Sequence, residues 1–400
     1  MEKKTLYLIY VIIVLPFAVA CRDTEDNLTV STLRSDIHDY LYTINNSEAT
    51  QRLDSIMYNK TDTDKIYERF KIVHISDPHI SAISTNNNYT NPINLKQSVT
   101  FANQSKLKIN ALIATGDFIS NSSRKDAILF MESFTKHFYE GNHIPSFICT
   151  GNHDCNMIEK VSKNYISKEK IHSILFPKQT QTNQNYFYAD IPNPQGGTIR
   201  IISLDMLDQP GTEYNTRIYA YYSQEQINWL GNIALKKGIT DQHSIIILNH
   251  YPFQAYSSKA NTYLCDGDFV HPWFMIPEII EAYRSRSSIS KTYLNKLRDN
   301  KNISVNFNFH DSKGEFCYLG GHDHFTTNFD IHDLENENKS IPPQKMLLCT
   351  NQAPSEVGII YNRVIREVDS LSSNSFCIYA IDTKEKKIYI TFFGAYKPTD

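Results

Sequence analysis

Five short apolar runs in this 400-residue chain each end in Asp, Asn or His, usually beside Gly. Ser76-Asp77-Pro78-His79 follows Ile75, Thr115-Gly116-Asp117 follows Ala114, and Thr150-Gly151-Asn152-His153-Asp154 follows Cys149. Asn249-His250 follows Leu248, and Gly320-Gly321-His322-Asp323-His324 follows Leu319. Imidazole and carboxylate donors without clustered thiolates suit borderline divalent ions such as Mn, Fe or Zn. Seven ligand-type groups are too many for one such ion and match two ions that share a carboxylate. Two ions about 3.5–4 Å apart clamp the attacking and departing oxygens of a displacement at phosphorus. Their charge outweighs that of Asp77 and Asp117, so the site stays positive, as a phosphate binder should. Each motif alone is weak, since a lone Gly-Asp is usually a turn. Five in order, each ending an apolar run, are not independent coincidences.

These side chains meet only if the elements beneath them converge. Strands are expected at 71–75, 111–114, 146–149, 198–204, 244–248, 317–319 and 346–349, and helices at 95–108, 124–139 and 224–235. The last helix opens with Ser223 and Gln226 in capping-box spacing. Strands at 376–381 and 387–393 flank a polar turn and read as a closing hairpin. The pattern predicts an α/β sandwich, with the ligands at carboxyl ends of adjacent strands along one sheet edge. The segment 251–316 breaks the rhythm and reads as a cap-like insertion with helices at 277–286 and 291–299. His250 and the strand leading to His322 bound it. Its aromatics (Tyr251, Phe253, Tyr256, Tyr263, Phe269, Trp273, Phe274), with Arg284 and Arg286, fit either a substrate-facing cap or the insertion's own small core.

Residues 1–20 read as an export signal: Lys3 and Lys4 precede an apolar run over 6–14, then Pro16 and Ala18-Val19-Ala20. The run is shorter than the roughly 20 residues of a membrane-spanning helix. Cleavage before Cys21 resembles processing at a bacterial lipobox, although Ala18 stands where such sites carry Leu or Val. Cys21 would then bear the lipid and anchor an exported protein to a membrane, on the periplasmic or cell-surface side. The alternative is a plain secretory signal cut after Ala20. Residues 21–69 read as a polar tether and a helical segment carrying Leu33, Ile37, Leu41 and Ile44. Residues 70–400 form the main domain. A net charge of −3 with no basic cluster argues against a nucleic-acid-binding surface. Cys149, Cys317, Cys349 and Cys377 lie in apolar runs and read as buried thiols. A disulfide between Cys155 and Cys265 is chemically permitted after export.

The set Asp-x-His, Gly-Asp, Gly-Asn-His-Asp, His and Gly-His-x-His, over roughly 70–330, resembles the calcineurin-like metallophosphoesterase superfamily. The resemblance implies a four-layer α/β/β/α sandwich, with the insertion before the last ligand motif. It implies that Asp77, His79 and His324 hold one metal, that Asn152, His250 and His322 hold the other, and that Asp117 bridges them. A hydroxide between the ions would attack a phosphate ester, monoester or diester, with a slight lean to diesters. His153 would protonate the leaving oxygen or stabilise the transferring group, and Asp154 would orient its neighbours. Ser120 stands where purple acid phosphatases carry a metal-binding Tyr, so an iron–tyrosinate site is not expected.

Several residues carry blander readings. His74 inside a strand reads as a core or orienting residue, and His271 and His310, within the insertion, as surface or loop structure, with contact to substrate as the alternative. Asp205 ends a strand outside any motif and reads as structural, while Trp229 reads as core. Two other functions compete: a surface-binding lipoprotein that kept the fold but lost catalysis, and a hydrolase of non-phosphate esters or amides. The first would show a broken ligand set, and all seven ligands are present.

Overall fold

The structure, a computed structural model, describes residues 11–16, 68–80, 92–120, 127–155, 166–177, 184–208, 220–253, 271–272, 274–295, 302–312, 315–321, 327–331, 344–348 and 374–394. The first sheet takes the order β1-β14-β13-β2-β3-β4. Its strands are β1 (Val11–Pro16), β2 (Phe70–Ile75), β3 (Ala111–Thr115), β4 (Ser146–Cys149), β13 (Ser375–Asp382) and β14 (Lys387–Gly394). In the second sheet β5 (Phe187–Pro192), β6 (Thr198–Ser203), β7 (His243–Leu248), β10 (Glu315–Gly320), β11 (Thr327–Ile331) and β12 (Gln344–Leu348) take the order β11-β12-β10-β7-β6-β5. Each sheet has a parallel centre: β2, β3 and β4 in one, β6, β7, β10 and β12 in the other. The flanking strands β13, β14, β5 and β11 run antiparallel.

Side-chain alternation along each strand sorts the core into three apolar clusters. Ile72, Ile113 and Phe147 of the first sheet pack with Ile201, Ile246 and Leu319 of the second. The other face of the first sheet, with Val73, Leu112 and Ile148, is covered by α1 (Pro92–Gln104), α2 (Ala127–Tyr139) and α3 (Lys168–Leu175). The other face of the second, with Ile202, Ile247 and Tyr318, is covered by α4 (Gln224–Trp229) and α5 (Met275–Arg284). A hairpin of β8 (Ser288–Tyr293) and β9 (Ile303–Asn308) joins that cover through Tyr293, Val305 and Phe307. Both faces of β2, β3, β4, β6, β7 and β10 are therefore buried, which explains why these strands read as unbroken apolar runs.

Two details correct the sequence reading. The helix expected at 291–299 begins as strand β8, because its partner β9 alternates buried Ile303, Val305 and Phe307 with exposed Ser304, Asn306 and Asn308. That period of two decides for a hairpin. Ser223 does cap α4, accepting from the Gln226 N–H at 3.0 Å. The Gln226 side chain, however, does not close a capping box. It bonds both backbone groups of Asp205 at 2.9 Å, acting as an extra strand partner.

The described part of 251–316 packs on the outer face of the second sheet, where Tyr251 and Phe253 are fully buried. Tyr256, Tyr263, Phe269 and Trp273 lie outside the described residues, as do the expected helix over Leu33 to Ile44, Cys349 and Cys265. Cys149, Cys317 and Cys377 are free and buried, as expected of apolar strand positions. β1, within the expected export signal, pairs antiparallel with β14, so a chain cut after Ala20 would have β14 as its sheet edge.

Arg200 staples the second sheet to its helical cover. Its guanidinium is buried, grips Asp190 at 2.7 Å through two nitrogens, and donates to the carbonyls of Ala234 and Lys237 at the end of the turn after α4. Arg200→Met should cost about 2–3 kcal/mol, the range for lost hydrogen bonds to a charged group. Arg200→Lys should recover only part, because an ammonium cannot span the fork. Urea unfolding of the three proteins checks the order.

Candidate metal centre

The motif loops leave the carboxyl ends of five parallel strands, three from the first sheet and two from the second. The expected convergence is therefore on the seam between two sheets and not along one sheet edge. Beyond β2 and β3 the backbones stay paired: the Asp77 N–H bonds the Gly116 carbonyl at 3.2 Å and the His79 N–H bonds the Asp117 carbonyl at 3.0 Å. Asp77, His79 and Asp117 all adopt left-handed φ values of 48°, 46° and 52°. Such backbone in non-glycine residues costs about 1–3 kcal/mol each and persists only where the surroundings enforce it. Gly151 explains how the third loop comes so close, since a Cβ there would lie 2.3 Å from the Asp117 N and Oδ1 atoms. The fifth loop approaches as tightly. A Cβ on Gly321 would lie 2.5 Å from Asp77 Oδ2, and the Gly321 N–H bonds the His250 carbonyl at 3.0 Å.

At the centre stands Asp117. Its Oδ1 accepts from the His153 N–H at 2.8 Å. Its Oδ2 is buried and faces three imidazole Nε2 atoms, from His250 at 3.2 Å, His153 at 3.8 Å and His79 at 3.9 Å. Asp77 Oδ1 lies 3.8 Å from His79 Nε2 and 4.0 Å from His250 Nε2. The Asn152 amide oxygen is 3.2 Å from His250 Nε2. Two overlapping groups result, Asp77 with Asp117 and His250, and His79 with Asp117 and His153, each compact enough for one ion.

The proton positions make this a cation site. His250 gives its Nδ1–H to the Thr115 carbonyl at 2.7 Å, and His153 gives its own to the Ser120 carbonyl at 2.6 Å. Neutral, each turns an Nε2 lone pair toward a carboxylate, an arrangement that is repulsive unless positive charge lies between. For His250, burial alone would lower the pKa, but the carboxylates of Asp117 and Asp77 outweigh it and raise it to about 10. Burial likewise disfavours ionised Asp117, yet the three imidazoles hold its carboxyl well below the usual range. The site draws in a cation, and the donor set fits divalent metals.

A ring of polar groups holds these side chains. Asp154 Oδ1 accepts from the Phe118 and Ile119 N–H groups at 2.8 and 3.3 Å, and its Oδ2 from the Gly151 N–H at 2.8 Å. It thus ties the second loop to the third. Burial and the Asp117 charge push its pKa up to about 8 against those donors. Asp205 accepts from Thr150 Oγ1 at 2.8 Å and so braces the third loop from the second sheet. Tyr222 donates to the Asn249 amide oxygen at 2.7 Å beside His250. Ser76, Thr115, Thr150 and Tyr222 carried no signal in the sequence beyond standing near a motif.

Of the sequence-derived site residues, the structure brings together Asp77, His79, Asp117, Asn152, His153, Asp154 and His250. His322 and His324 lie outside the described residues, as do Cys21 and the Cys155 side chain; Gly321, the residue before His322, lies against Asp77. His74 is buried and hydrogen-bonded at both nitrogens, as a core residue. His271 is buried beside the Tyr221 ring, and His310 is exposed, with its Nδ1 bonded to the Arg286 carbonyl.

Fold and site together define an α/β protein with a candidate metal centre, built around one carboxylate shared by two metal-sized groups. More particularly, the chain belongs to the calcineurin-like phosphoesterase family, whose model matches residues 70–324. This is a family of dinuclear-metal-dependent hydrolases of phosphate esters. Among solved structures, one of PhoD aligns with a TM-score of 0.41 at 10% identity, covering 78% of this chain and 64% of that chain. The chain thus spans less than two thirds of the PhoD chain's length. The phosphopantetheinyl hydrolase PptH from Mycobacterium tuberculosis aligns with a TM-score of 0.31 at 9% identity, covering 71% and 90%. No curated protein matches the chain in sequence.

Metal uptake must displace the proton that His250 otherwise carries up to about pH 10. Affinity for Mn(II) should therefore rise with pH between 6 and 9, with proton release on binding. Calorimetry of the metal-free protein in buffers of different ionisation enthalpy reads both. A flat profile without proton release would contradict the assignment of His250.

Proposed function

We propose that the chain is an exported, lipid-anchored phosphoesterase that hydrolyses phosphate esters with two divalent ions and favours diesters. The observation that carries this reading is the sharing of Asp117 between two metal-sized groups. The two groups pair Asp77 with His250 and His79 with His153; the division between the ions follows the family resemblance instead, with Asp77, His79 and His324 on one, Asn152, His250 and His322 on the other, and Asp117 as the bridge. When bound, the pair supplies a hydroxide at neutral pH and neutralises charge on the phosphoryl oxygens.

The protein's own groups do the rest. The Asp117 carboxylate, fixed by the His153 backbone N–H, sets where both ions sit. His153 is the most exposed imidazole of the group, with its side chain 26% accessible. Its Nδ1–H is held by the Ser120 carbonyl, so Nε2 is the atom able to carry a proton to a departing oxygen. Export and anchoring rest on the residues before and at Cys21, as a bacterial lipoprotein carries enough acyl chain for stable membrane attachment.

Three measurements test the reading. Purified protein loaded in turn with Mn, Fe, Co and Zn should cleave bis-p-nitrophenyl phosphate faster than p-nitrophenyl phosphate. Carboxylate-ester cleavage without phosphate-ester cleavage would overturn it. His153→Ala should keep both ions and lose roughly 10²–10⁴-fold in turnover, less for good leaving groups. Loss of one ion would instead make His153 a ligand. Cys21→Ser should release the protein from membranes, and unchanged fractionation with no lipid label on the wild type would exclude the anchor.

A further inference from the structure

A line of buried polar groups runs from the closing hairpin to the metal centre. Tyr379, on β13, is a diagonal neighbour of His74 on β2, two residues from the register partner Cys377, and its hydroxyl lies 3.1 Å from His74 Nδ1. His74 Nε2 is 2.8 Å from Thr115 Oγ1. The Thr115 hydroxyl donates to Ser76 Oγ at 2.9 Å, and the Ser76 hydroxyl donates to Asp77 Oδ2 at 2.5 Å. Because the Thr115 proton is committed to Ser76, Thr115 Oγ1 must accept from His74. His74 is then the Nε2–H tautomer, and its Nδ1 accepts from Tyr379. Every donor in the line points toward Asp77.

We propose that Tyr379, His74, Thr115 and Ser76 form a positioning relay that fixes Asp77 for metal binding from the core of the first sheet. The inference rests on the reading of Asp77 as a metal ligand. All four side chains are buried, so none of these bonds competes with water. Head-to-tail donors polarise one another, and the last is charge-assisted, since it ends on a carboxylate. Burial lowers the His74 pKa to about 3, which keeps the ring neutral and the relay in one direction. Ser76 has a second acceptor in the Thr115 carbonyl at 3.0 Å, which also takes the His250 Nδ1–H. Thr115 therefore serves Asp77 through its hydroxyl and His250 through its backbone. Groups behind metal ligands of this kind typically change affinity about 10–100-fold when removed.

Thr115 offers a test that separates hydrogen bonding from packing. Thr115→Val keeps shape and removes the hydroxyl, whereas Thr115→Ser keeps the hydroxyl and removes a methyl. Mn(II) titration of the metal-free full-length protein, read by the spin-resonance signal of the free ion, gives the affinity, and thermal unfolding monitors the fold. Thr115→Val should bind about 10–100-fold more weakly and Thr115→Ser within a few-fold of wild type. Tyr379→Phe, which removes one oxygen, should lose about tenfold with little change in melting temperature. The relay is overturned if Thr115→Val and Tyr379→Phe bind as wild type does, or if Thr115→Ser proves the weaker of the two threonine variants. A wild-type chain that takes up no Mn(II), Zn(II) or Co(II) would overturn the metal site itself, whatever the variants do.

Discussion

Two buried carboxylates and a set of inward-facing imidazole lone pairs are unstable together in a dry interior without a cation. That electrostatic demand organises the rest of the molecule. Taking a carboxylate out of water is costly unless charge and hydrogen bonds compensate. Here the Nδ1–H donors of His250 and His153 are committed outward, to the carbonyls of Thr115 and Ser120. The left-handed backbone at Asp77, His79 and Asp117 and the close approaches at Gly151 and Gly321 serve one end, which is to bring the donors within an ion's reach. The apolar clusters on both faces of each sheet hold that strained geometry in place.

Much of this was legible in the order of residues along the chain. The motif residues announced themselves because each stands directly after a buried parallel strand, whose unbroken apolar run is the easiest strand signal to read. The polar second ring stayed hidden. His74 looked like a core histidine, and it is one, but its partners Tyr379 and Thr115 are 305 and 41 residues away. Only the sheet pairing brings them together. Asp205 ended a strand just as the ligands do, and nothing in its neighbourhood announced that it would brace Thr150.

The misread segments share a physical cause. β8 lies at the periphery, on a two-stranded hairpin whose pattern is clear only in its partner, and a short stretch such as Lys291-Thr292-Tyr293 fits either period. Gln226 had the right spacing for a capping box, and a stronger acceptor–donor pair on Asp205 claimed its side chain. The glycines before Asp117 and His322 hinted at tight turns, yet no residue type could signal that Asp77 and His79 would themselves turn left-handed.

The seam between the sheets has a consequence for how the protein matures. Of the two metal-sized groups, His79, Asp117 and His153 all hang from the first sheet, whereas Asp77 and Asp117 meet His250 from the second. The second group is complete only once the two layers have closed on each other. An ion held there would rivet the layers together, and its chelation would loosen the joint on which the whole sandwich closes.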